Sequence, residues 1–304
     1  MRAWRAEVVV DAALARKLLA QFPELTVESL RPLAEGWDRT VWLVNEKWVF
    51  GFPRRAMVVP GVELEMAALP RLASLLPLPI PTPVFSGRPA HGYPWAFFGA
   101  AFLPGREAGE AGLDDDARIR TALELVPFLR RLHGREVAEA VRDYELAVDP
   151  TRRADSAHRA RLAREHLAEL ESAGLWQPPA SAQSLLQAGE RLPPSSEACA
   201  VVHGDLHFRH LLVDDGRLSG VIDWIDLCHA DPAIDLQLVW SFVPPRGRAR
   251  FLDAYGPVTD EQLLRARVFA LQLSAVLARY GHEENMPSVL REALGGLART
   301  VAQS

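Results

Sequence analysis

The segment from residue 201 to 236 constrains this chain more than any other, because polar residues repeatedly interrupt short apolar runs there. Its sequence reads VVHGDLHFRHLLVDDGRLSGVIDWIDLCHADPAIDL. Short apolar runs bounded by turn residues predict buried strands. Acidic residues and histidines that follow such strands are typical of a binding or catalytic site, since sites usually form in the loops beyond strand ends.

Three side chains in this segment have a spacing that suits phosphoryl transfer. Asp205 follows the first strand, His210 comes shortly after it, and Asp223 ends the next predicted hairpin. Because a hairpin returns the chain to its starting point, the three side chains can converge. Phosphoryl transfer needs one carboxylate to orient the acceptor hydroxyl, and further ligands to hold a divalent cation against the nucleotide phosphates. Aspartate and histidine also cap helices and satisfy loop backbones, so spacing alone leaves a structural role open.

Size and composition limit the other possibilities. A chain of 304 residues is longer than one hydrophobic core usually supports, which predicts two lobes. Its net charge of -5 gives no electrostatic footprint for nucleic acid. No apolar run is long enough for a signal peptide or a membrane-spanning helix, and Cys199 and Cys228 are too few for a disulfide framework. We therefore expect a cytoplasmic protein without nucleic-acid or membrane partners.

The two halves of the chain differ in their predicted secondary structure. After a first helix that begins near Asp11, β-rich runs at residues 26–31, 40–44 and 48–52 predict an antiparallel meander, and a helix that contains Glu65 follows. Leu103-Pro104-Gly105 is a turn signal, and the sequence beyond it is mostly helical. The predicted domains are therefore residues 1–103 and residues 104–304.

The motifs together resemble the aminoglycoside phosphotransferase superfamily, which shares the protein-kinase fold. The resemblance rests on three motifs in order: His203-Gly204-Asp205 with a ligand position at 210, Ile222-Asp223-Trp224, and Asp231-Pro232-Ala233-Ile234-Asp235-Leu236. Upstream segments extend it over nearly the whole chain, namely Glu35-Gly36-Trp37-Asp38, Phe52-Pro53-Arg54-Arg55, Glu63-Leu64-Glu65, Leu78-Pro79-Ile80-Pro81 and Leu103-Pro104-Gly105. It implies an α+β, two-lobed fold with a small antiparallel-sheet lobe, a mostly helical large lobe and a nucleotide in the cleft between them.

The resemblance also implies roles for individual residues. Asp205 would be the catalytic base, His210 and Asp223 would bind Mg²⁺, and Asp235 would brace the catalytic loop together with His203 of the first motif. The nucleotide-binding positions would comprise the loop over the phosphates, a helix glutamate that positions a basic residue, and the hinge that binds the purine: Trp37, Asp38, Glu65, Ala101, Phe102 and Leu103. The phosphate donor would be ATP or GTP.

Two positions depart from the family pattern. His210 stands where the family usually has asparagine, and imidazole is a softer ligand that favours Mn²⁺ or Zn²⁺ over Mg²⁺. Histidine at this position also resembles the macrolide phosphotransferase branch. Gly51 stands where a lysine or arginine would ordinarily face the phosphates, and Lys17 and Lys47 are poorly placed to replace it. Arg55 lies an even number of residues beyond Gly51, so it could point to the same face and bind the nucleotide.

Three functional interpretations remain open. The first is a phosphotransferase that acts on a hydroxyl of an aminoglycoside, a macrolide or a related metabolite. A polycationic acceptor needs carboxylates on the cleft wall and a macrolide needs an apolar surface, and the sequence offers both. The second, motivated by Gly51 and His210, is a catalytically impaired kinase-like protein that binds nucleotide or another ligand. The third is a metallohydrolase, because His203, Asp205, His207 and His210 form a run that could hold a transition metal.

Overall fold

A five-stranded antiparallel sheet dominates the amino-terminal part of the computed structural model, which describes residues 6–195 and 199–302. In chain order the elements are α1 (Ala12–Leu19), β1 (Leu30–Glu35), β2 (Arg39–Val44), β3 (Trp48–Pro53), α2 (Val59–Ala73), β4 (Pro83–Gly87) and β5 (Phe97–Ala101). The strands lie in the order β1-β2-β3-β5-β4, and each neighbouring pair is antiparallel. The predicted antiparallel sheet is confirmed, although β1 lies further along the chain than the predicted run at 26–31.

A tight turn fixes the register of β2 against β3. Asn45 and Glu46 both have positive φ angles, 53° and 50°, which is the backbone of a hairpin turn whose twist matches that of the strands. The Asn45 side chain accepts hydrogen bonds from the amides of Glu28 and Ser29, both at 2.9 Å, and so holds the turn. The resulting register pairs Val41 with Gly51.

The two faces of the sheet pack against different partners. Phe50 and Phe52 point into an aromatic core that also contains Phe22, Phe85 and Phe97. Because side chains alternate along a strand, Gly51 lies on the opposite face, which is also the face of Phe98 and Ala100. These two residues pack against Val62 of α2. The sheet therefore presents Gly51 towards the helix that carries Glu65.

Helices form most of the remaining chain. In chain order its elements are β6 (Arg106–Glu107), α3 (Asp115–Leu132), α4 (Arg135–Ala140), α5 (Ser156–Ser172), α6 (Ala180–Arg191), β7 (Ala200–Val202), β8 (Leu211–Asp214), β9 (Arg217–Val221), β10 (Cys228–Ala230), α7 (Ala233–Leu236), α8 (Leu238–Ser241), α9 (Pro245–Tyr255), α10 (Asp260–Glu283) and α11 (Pro287–Val301). The long helix α10 is buried between α5 and α11. Two small antiparallel sheets, β6-β8-β9 and β7-β10, carry the loops of the 201–236 segment. This confirms the predicted mostly helical second lobe.

The connection between the two parts is tightly packed at Gly105. Its φ is +118°, and a Cβ there would lie 2.8 Å from the Val213 carbonyl oxygen, so only glycine fits. The Ser219 hydroxyl donates a hydrogen bond to the Pro104 carbonyl at 2.7 Å. The boundary between residues 103 and 104 stays a prediction. Within the described ranges, no helix has both the length and the apolar character needed to cross a membrane.

Candidate active site

Asp205 lies in the loop between β7 and β8, and the backbone of this loop is fixed from α7. The carboxylate of Asp235 accepts hydrogen bonds from the amides of His203, at 2.8 Å, and Gly204, at 3.1 Å. Gly204 has a φ of +89°, and a Cβ there would lie 2.3 Å from the carbonyl oxygen of Asp226. A glycine is therefore required where the loop passes the backbone of Asp226. Burial of the Asp235 carboxylate costs free energy, and the hydrogen bonds from the two amides offset that cost.

His203 joins the loop of Asp205 to the strand end that leads to Asp223. Its Nε2 donates to the Ile222 carbonyl at 2.9 Å, and its Nδ1 accepts from the Asp205 amide at 3.3 Å. Burial lowers the pKa of His203, so the ring stays neutral and keeps one donor and one acceptor nitrogen. His203 and Asp235 thus both contact the loop of Asp205, and their bracing role stays a prediction.

The Asp205 carboxylate is held by two side chains. Arg153, which comes from the segment before α5, places Nη2 3.2 Å from Asp205 Oδ1 and Nη1 3.0 Å from Asp226 Oδ1. His207 Nε2 lies 3.6 Å from Asp205 Oδ2. Burial alone would raise the pKa of Asp205, but Arg153 and His207 hold it well below its usual range. The carboxylate is therefore ionised and able to accept a proton or a hydrogen bond.

His210 and Asp223 face each other with two lone pairs. His210 Nδ1 lies 2.7 Å from the Asp205 carbonyl oxygen, which can only accept, so this nitrogen carries the ring proton. In the neutral ring the unprotonated Nε2 then points at Asp223 Oδ2, 3.4 Å away. Burial favours the neutral acid of Asp223, but the positive charge of Arg39 nearby favours the carboxylate and lowers the pKa of Asp223. Two adjacent lone-pair donors of this kind fit a divalent cation, so His210 and Asp223 could hold a metal.

His207 belongs to the same cluster but has the other tautomer. One ligand atom from each of Asp205, His207 and His210 lies within 4.8 Å of the others, a spacing that a metal could use. However, His207 Nδ1 accepts from the Arg209 amide at 3.2 Å, so its proton is on Nε2 and points at Asp205. Burial lowers the pKa of His207 to about 4, which keeps the ring neutral. This geometry directs the Nε2 proton of His207 towards the Asp205 carboxylate and disfavours the three-ligand site of a metallohydrolase.

Glu65 of α2 connects the small lobe to the 201–236 segment. The residue is fully buried, and its Oε1 accepts from the Trp224 amide at 3.0 Å. Its Oε2 pairs with Arg39, the first residue of β2. Glu65 therefore contacts a basic residue, Arg39, and the role that the resemblance gave Glu65 stays a prediction.

Arg54 and Arg55 hold the loop between β1 and β2 instead of reaching Glu65. Arg55 forms an ion pair with Asp38, and Arg54 donates from Nη1 to the Gly36 carbonyl at 2.7 Å. In the same loop, the Trp37 ring lies edge-on against Tyr280 of α10, with ring centroids 5.0 Å apart. The loop between β1 and β2 thus reaches from the sheet of the small lobe to helix α10 of the helical lobe.

The predicted hinge residues lie at the end of β5. Ala101 pairs with Trp48 across the sheet, and the Phe102 amide donates to the Lys47 carbonyl at 2.8 Å. That amide hydrogen is therefore already used and is not available to a nucleotide base. Leu103 is half-buried and packs against the Gly220 position of β9.

Sequence reasoning missed two residues that the structure brings to the site. Arg39 has a readable signal, because the Asn45-Glu46 turn sets the register that brings β2 beside Gly51. Arg153 has none, since it lies in a loop far from Asp205 and Asp226 in sequence. Its position is fixed by Asp149, whose carboxylate accepts from the amides of Arg153 at 2.7 Å and Ala154 at 2.9 Å.

Comparison with known proteins supports the same reading of the fold. A family model described as the phosphotransferase enzyme family matches residues 29–268. The solved GDP and kanamycin complex of APH(2")-IIia is 23% identical, with a TM-score of 0.69, and the match covers 95% of this chain and 98% of that one. Macrolide 2'-phosphotransferase MphH from Brachybacterium faecium is also 23% identical, with a TM-score of 0.59 and coverages of 92% and 96%. These matches confirm the two-lobed, kinase-like fold.

One curated relative matches over a short stretch. The uncharacterized protein YcbJ of Bacillus subtilis (strain 168) is 40% identical over 57 residues, which are 18% of this chain. The match spans about a fifth of that protein, 19% of its length.

Proposed function

The chain belongs to the phosphotransferase enzyme family, and from this membership we propose that it transfers a phosphate from ATP or GTP to a hydroxyl of a small molecule. The observation that carries the proposal is the convergence of three features: ionised Asp205, the 3.4 Å approach of His210 Nε2 to Asp223 Oδ2, and the Arg39–Glu65 pair. A phosphoryl-transfer site needs a base, a metal position and a cation near the phosphates, and these residues offer one group for each.

Asp205 is the proposed catalytic base. Its carboxylate is 21% exposed, so an acceptor hydroxyl can reach it. Arg153 and His207 keep the charge on this carboxylate and fix its direction, which leaves it oriented before the acceptor arrives. The proton of the hydroxyl would pass to Asp205 as the phosphate is transferred.

His210 Nε2 and the Asp223 carboxylate are the proposed metal ligands. The tautomer of His210 is set by the Asp205 carbonyl, so a cation bound at Nε2 would be tied to the same loop as the base. When bound, Mg²⁺ or Mn²⁺ would neutralise charge on the nucleotide phosphates. A carboxylate oxygen and an imidazole nitrogen can together bind either of these ions, and the nitrogen ligand favours Mn²⁺.

The nucleotide is proposed to lie between the lobes, with its base near Ala101 and Leu103 and its phosphates beneath Trp37 and Asp38. The solved relatives include a GDP complex of the same fold, which supports a nucleotide site of this kind. We propose that the lobes join between residues 103 and 104.

The two free cysteines fit a reducing cytoplasm, which is the proposed location of the protein.

The charges around Asp205 favour a largely neutral acceptor, such as a macrolide, over a polycation. Arg153 compensates both Asp205 and Asp226, so neither carboxylate is free to bind an ammonium group. Trp37 and Tyr280 add aromatic surface where the loop between β1 and β2 meets α10. An aminoglycoside remains the second acceptor class, and either acceptor would give the protein a role in antibiotic resistance.

A screen of nucleotide consumption tests the proposal. The purified protein would receive ATP or GTP with Mg²⁺ or Mn²⁺ and a panel of macrolides, aminoglycosides, choline, homoserine and sugars, with Asp205→Asn as the control. We expect acceptor-dependent release of ADP or GDP and a phosphorylated product by mass spectrometry. Turnover only with a metabolite would contradict the resistance role. Nucleotide binding without turnover on any acceptor would favour the impaired kinase-like protein.

A further inference from the structure

Strand β3 has a glycine at residue 51 and so offers no basic side chain there. The buried carboxylate of Glu65 nevertheless has a basic partner, Arg39, from strand β2. We propose that Arg39 of β2 is the phosphate-binding cation of the nucleotide site, in the place that a lysine or arginine at residue 51 would ordinarily fill. This inference rests on the proposed function, because it names a residue of the same nucleotide site.

Gly51 and Arg39 are complementary in space. Val41 pairs with Gly51, and Arg39 precedes Val41 by two residues on the same face of β2, so its side chain lies diagonally beside the glycine. A Cβ at residue 51 would lie 3.2 Å from Arg39 Cδ and 3.9 Å from Arg39 Nη1. The aliphatic stem of Arg39 therefore runs through the space that a residue 51 side chain would occupy. The missing side chain is what lets the arginine reach α2.

The Arg39 guanidinium is fixed from two sides. Glu65 holds one end, and Glu65 is itself fixed by the Trp224 amide. The ring of Phe98 lies beneath the guanidinium, with the Arg39 carbon Cζ 5.5 Å from the ring centroid. A cation held this way has lost its side-chain freedom before a ligand binds, which lowers the entropic cost of binding.

The same guanidinium keeps donor capacity for a ligand. Arg39 Nε is buried and has no hydrogen-bond partner among the residues that the structure describes. The Arg39 side chain as a whole is 13% exposed, so a phosphate oxygen can reach the guanidinium and accept a hydrogen bond from it. The charges of Asp223 and Asp38 also act on Arg39, so both carboxylates lie near its guanidinium. Its flat arrangement of N–H groups matches phosphate oxygens in pairs.

Arg39→Gln tests the inference without any acceptor. The affinity of the protein for ATP and GTP, with Mg²⁺ or Mn²⁺, would be compared with its affinity for adenosine and guanosine, which lack phosphates. We expect about 10- to 100-fold weaker triphosphate binding, the effect of one or two charged hydrogen bonds, and a change below about twofold for the nucleosides. Arg31→Gln is the matched control, because Arg31 is exposed on β1 and pairs with exposed Glu46.

A swap of the two positions separates phosphate binding from folding. Arg39→Asn combined with Gly51→Arg removes the cation from β2 and restores it on β3. We expect the double variant to recover at least about tenfold of the triphosphate affinity that Arg39→Asn alone loses, since the arginine again faces Glu65. Gly51→Leu keeps Arg39 but displaces its stem, so it should weaken triphosphate binding while the nucleoside affinity stays constant.

The outcomes distinguish this inference from the proposed function. A wild-type protein that binds no triphosphate with either cation would overturn both. Wild-type binding with unchanged affinity in Arg39→Gln would overturn the role of Arg39 and leave the proposed function standing. Equal losses for triphosphates and nucleosides, or a lower melting temperature with no recovery in the double variant, would show that Arg39 is structural.

Discussion

The two sides of the candidate site are built by different kinds of contact. Asp205, His210 and Asp223 are held by loop backbone: the Asp205 carbonyl fixes His210, and His203 joins the Asp205 amide to the Ile222 carbonyl. Arg39, Gly51 and Glu65 instead come from two strands and a helix, and Arg39 meets Glu65 through their side chains, across the space left by Gly51. A side chain that is missing from one strand can be replaced by a side chain from the neighbouring strand. A group that is fixed by the backbone of its own loop has no such replacement. The backbone-held side should therefore tolerate substitution least.

The largest expected effect comes from Asp205→Asn on the backbone-held side. Loss of the base should lower turnover at least about 100-fold, while nucleotide affinity changes little, because the carboxylate acts on the acceptor. Turnover with the acceptor found in the screen, and nucleotide affinity by fluorescence titration, would check this.

Asp223→Ala should differ by losing the metal-dependent part of nucleotide binding. Asp214→Asn, an exposed position at the end of β8, is the control.

If Asp205→Asn kept wild-type turnover, the backbone-held side would not contain the base. The comparison would also fail if Asp223→Ala and Asp214→Asn had equal effects on metal-dependent binding.

A second, smaller effect tests the one side chain that reaches Asp205 from outside its loop. Arg153 holds the pKa of Asp205 below its usual range, so Arg153→Met should raise that pKa. The base works as the carboxylate, and activity is lost as pH falls through its pKa. The acid limb of kcat/KM should therefore move to higher pH, with a smaller change on the alkaline side. Initial rates across the pH range measure this shift.

Arg152→Met is a matched control, because Arg152 is adjacent but exposed and pairs with Asp155. An unchanged acid limb in Arg153→Met would show that its charge does not set the pKa of Asp205, and that the backbone and His207 suffice.

The same contrast explains what the sequence could and could not predict. Residues 203 to 235 form a local motif, so their spacing alone identified Asp205, His210 and Asp223 as neighbours, and the structure places them together. Arg39 was missed because its partner Glu65 lies on α2, beyond β3 in the chain. Only the pairing of β2 with β3 shows that the Arg39 side chain passes Gly51. Arg153 was missed because its position depends on how the segment before α5 folds against Asp149. The tautomers of His207 and His210, which separate a donor from a ligand, depend on backbone partners that no sequence pattern displays.

A third, still smaller effect concerns the metal. His210→Asn keeps a ligand at this position and replaces a nitrogen by an amide oxygen, which suits Mg²⁺ better. We expect activity to remain and the ratio of Mg²⁺-supported to Mn²⁺-supported turnover to rise about three- to tenfold, on the order of 1 kcal/mol. Metal titrations of turnover with each ion measure the ratio. An unchanged ratio would mean that His210 does not contact the metal and only supports Asp205 through its Nδ1.

The smallest expected effect lies on the side-chain-held side, at the contact of Trp37 with Tyr280. This pair joins the loop between β1 and β2 to α10, with ring centroids 5.0 Å apart. Trp48 and Phe85 form a pair at the same distance that lies wholly within the small lobe. Trp37→Leu and Trp48→Leu should each lose about 0.5 to 1.5 kcal/mol of aromatic contact, and with it a similar small amount of thermal stability. Only Trp37→Leu should change the acceptor KM, by about two- to fivefold, because only that ring contacts the helical lobe, which carries Asp205. Equal acceptor KM values in the two variants would mean that the loop does not contact the acceptor, and the small lobe would then contribute to the nucleotide side alone.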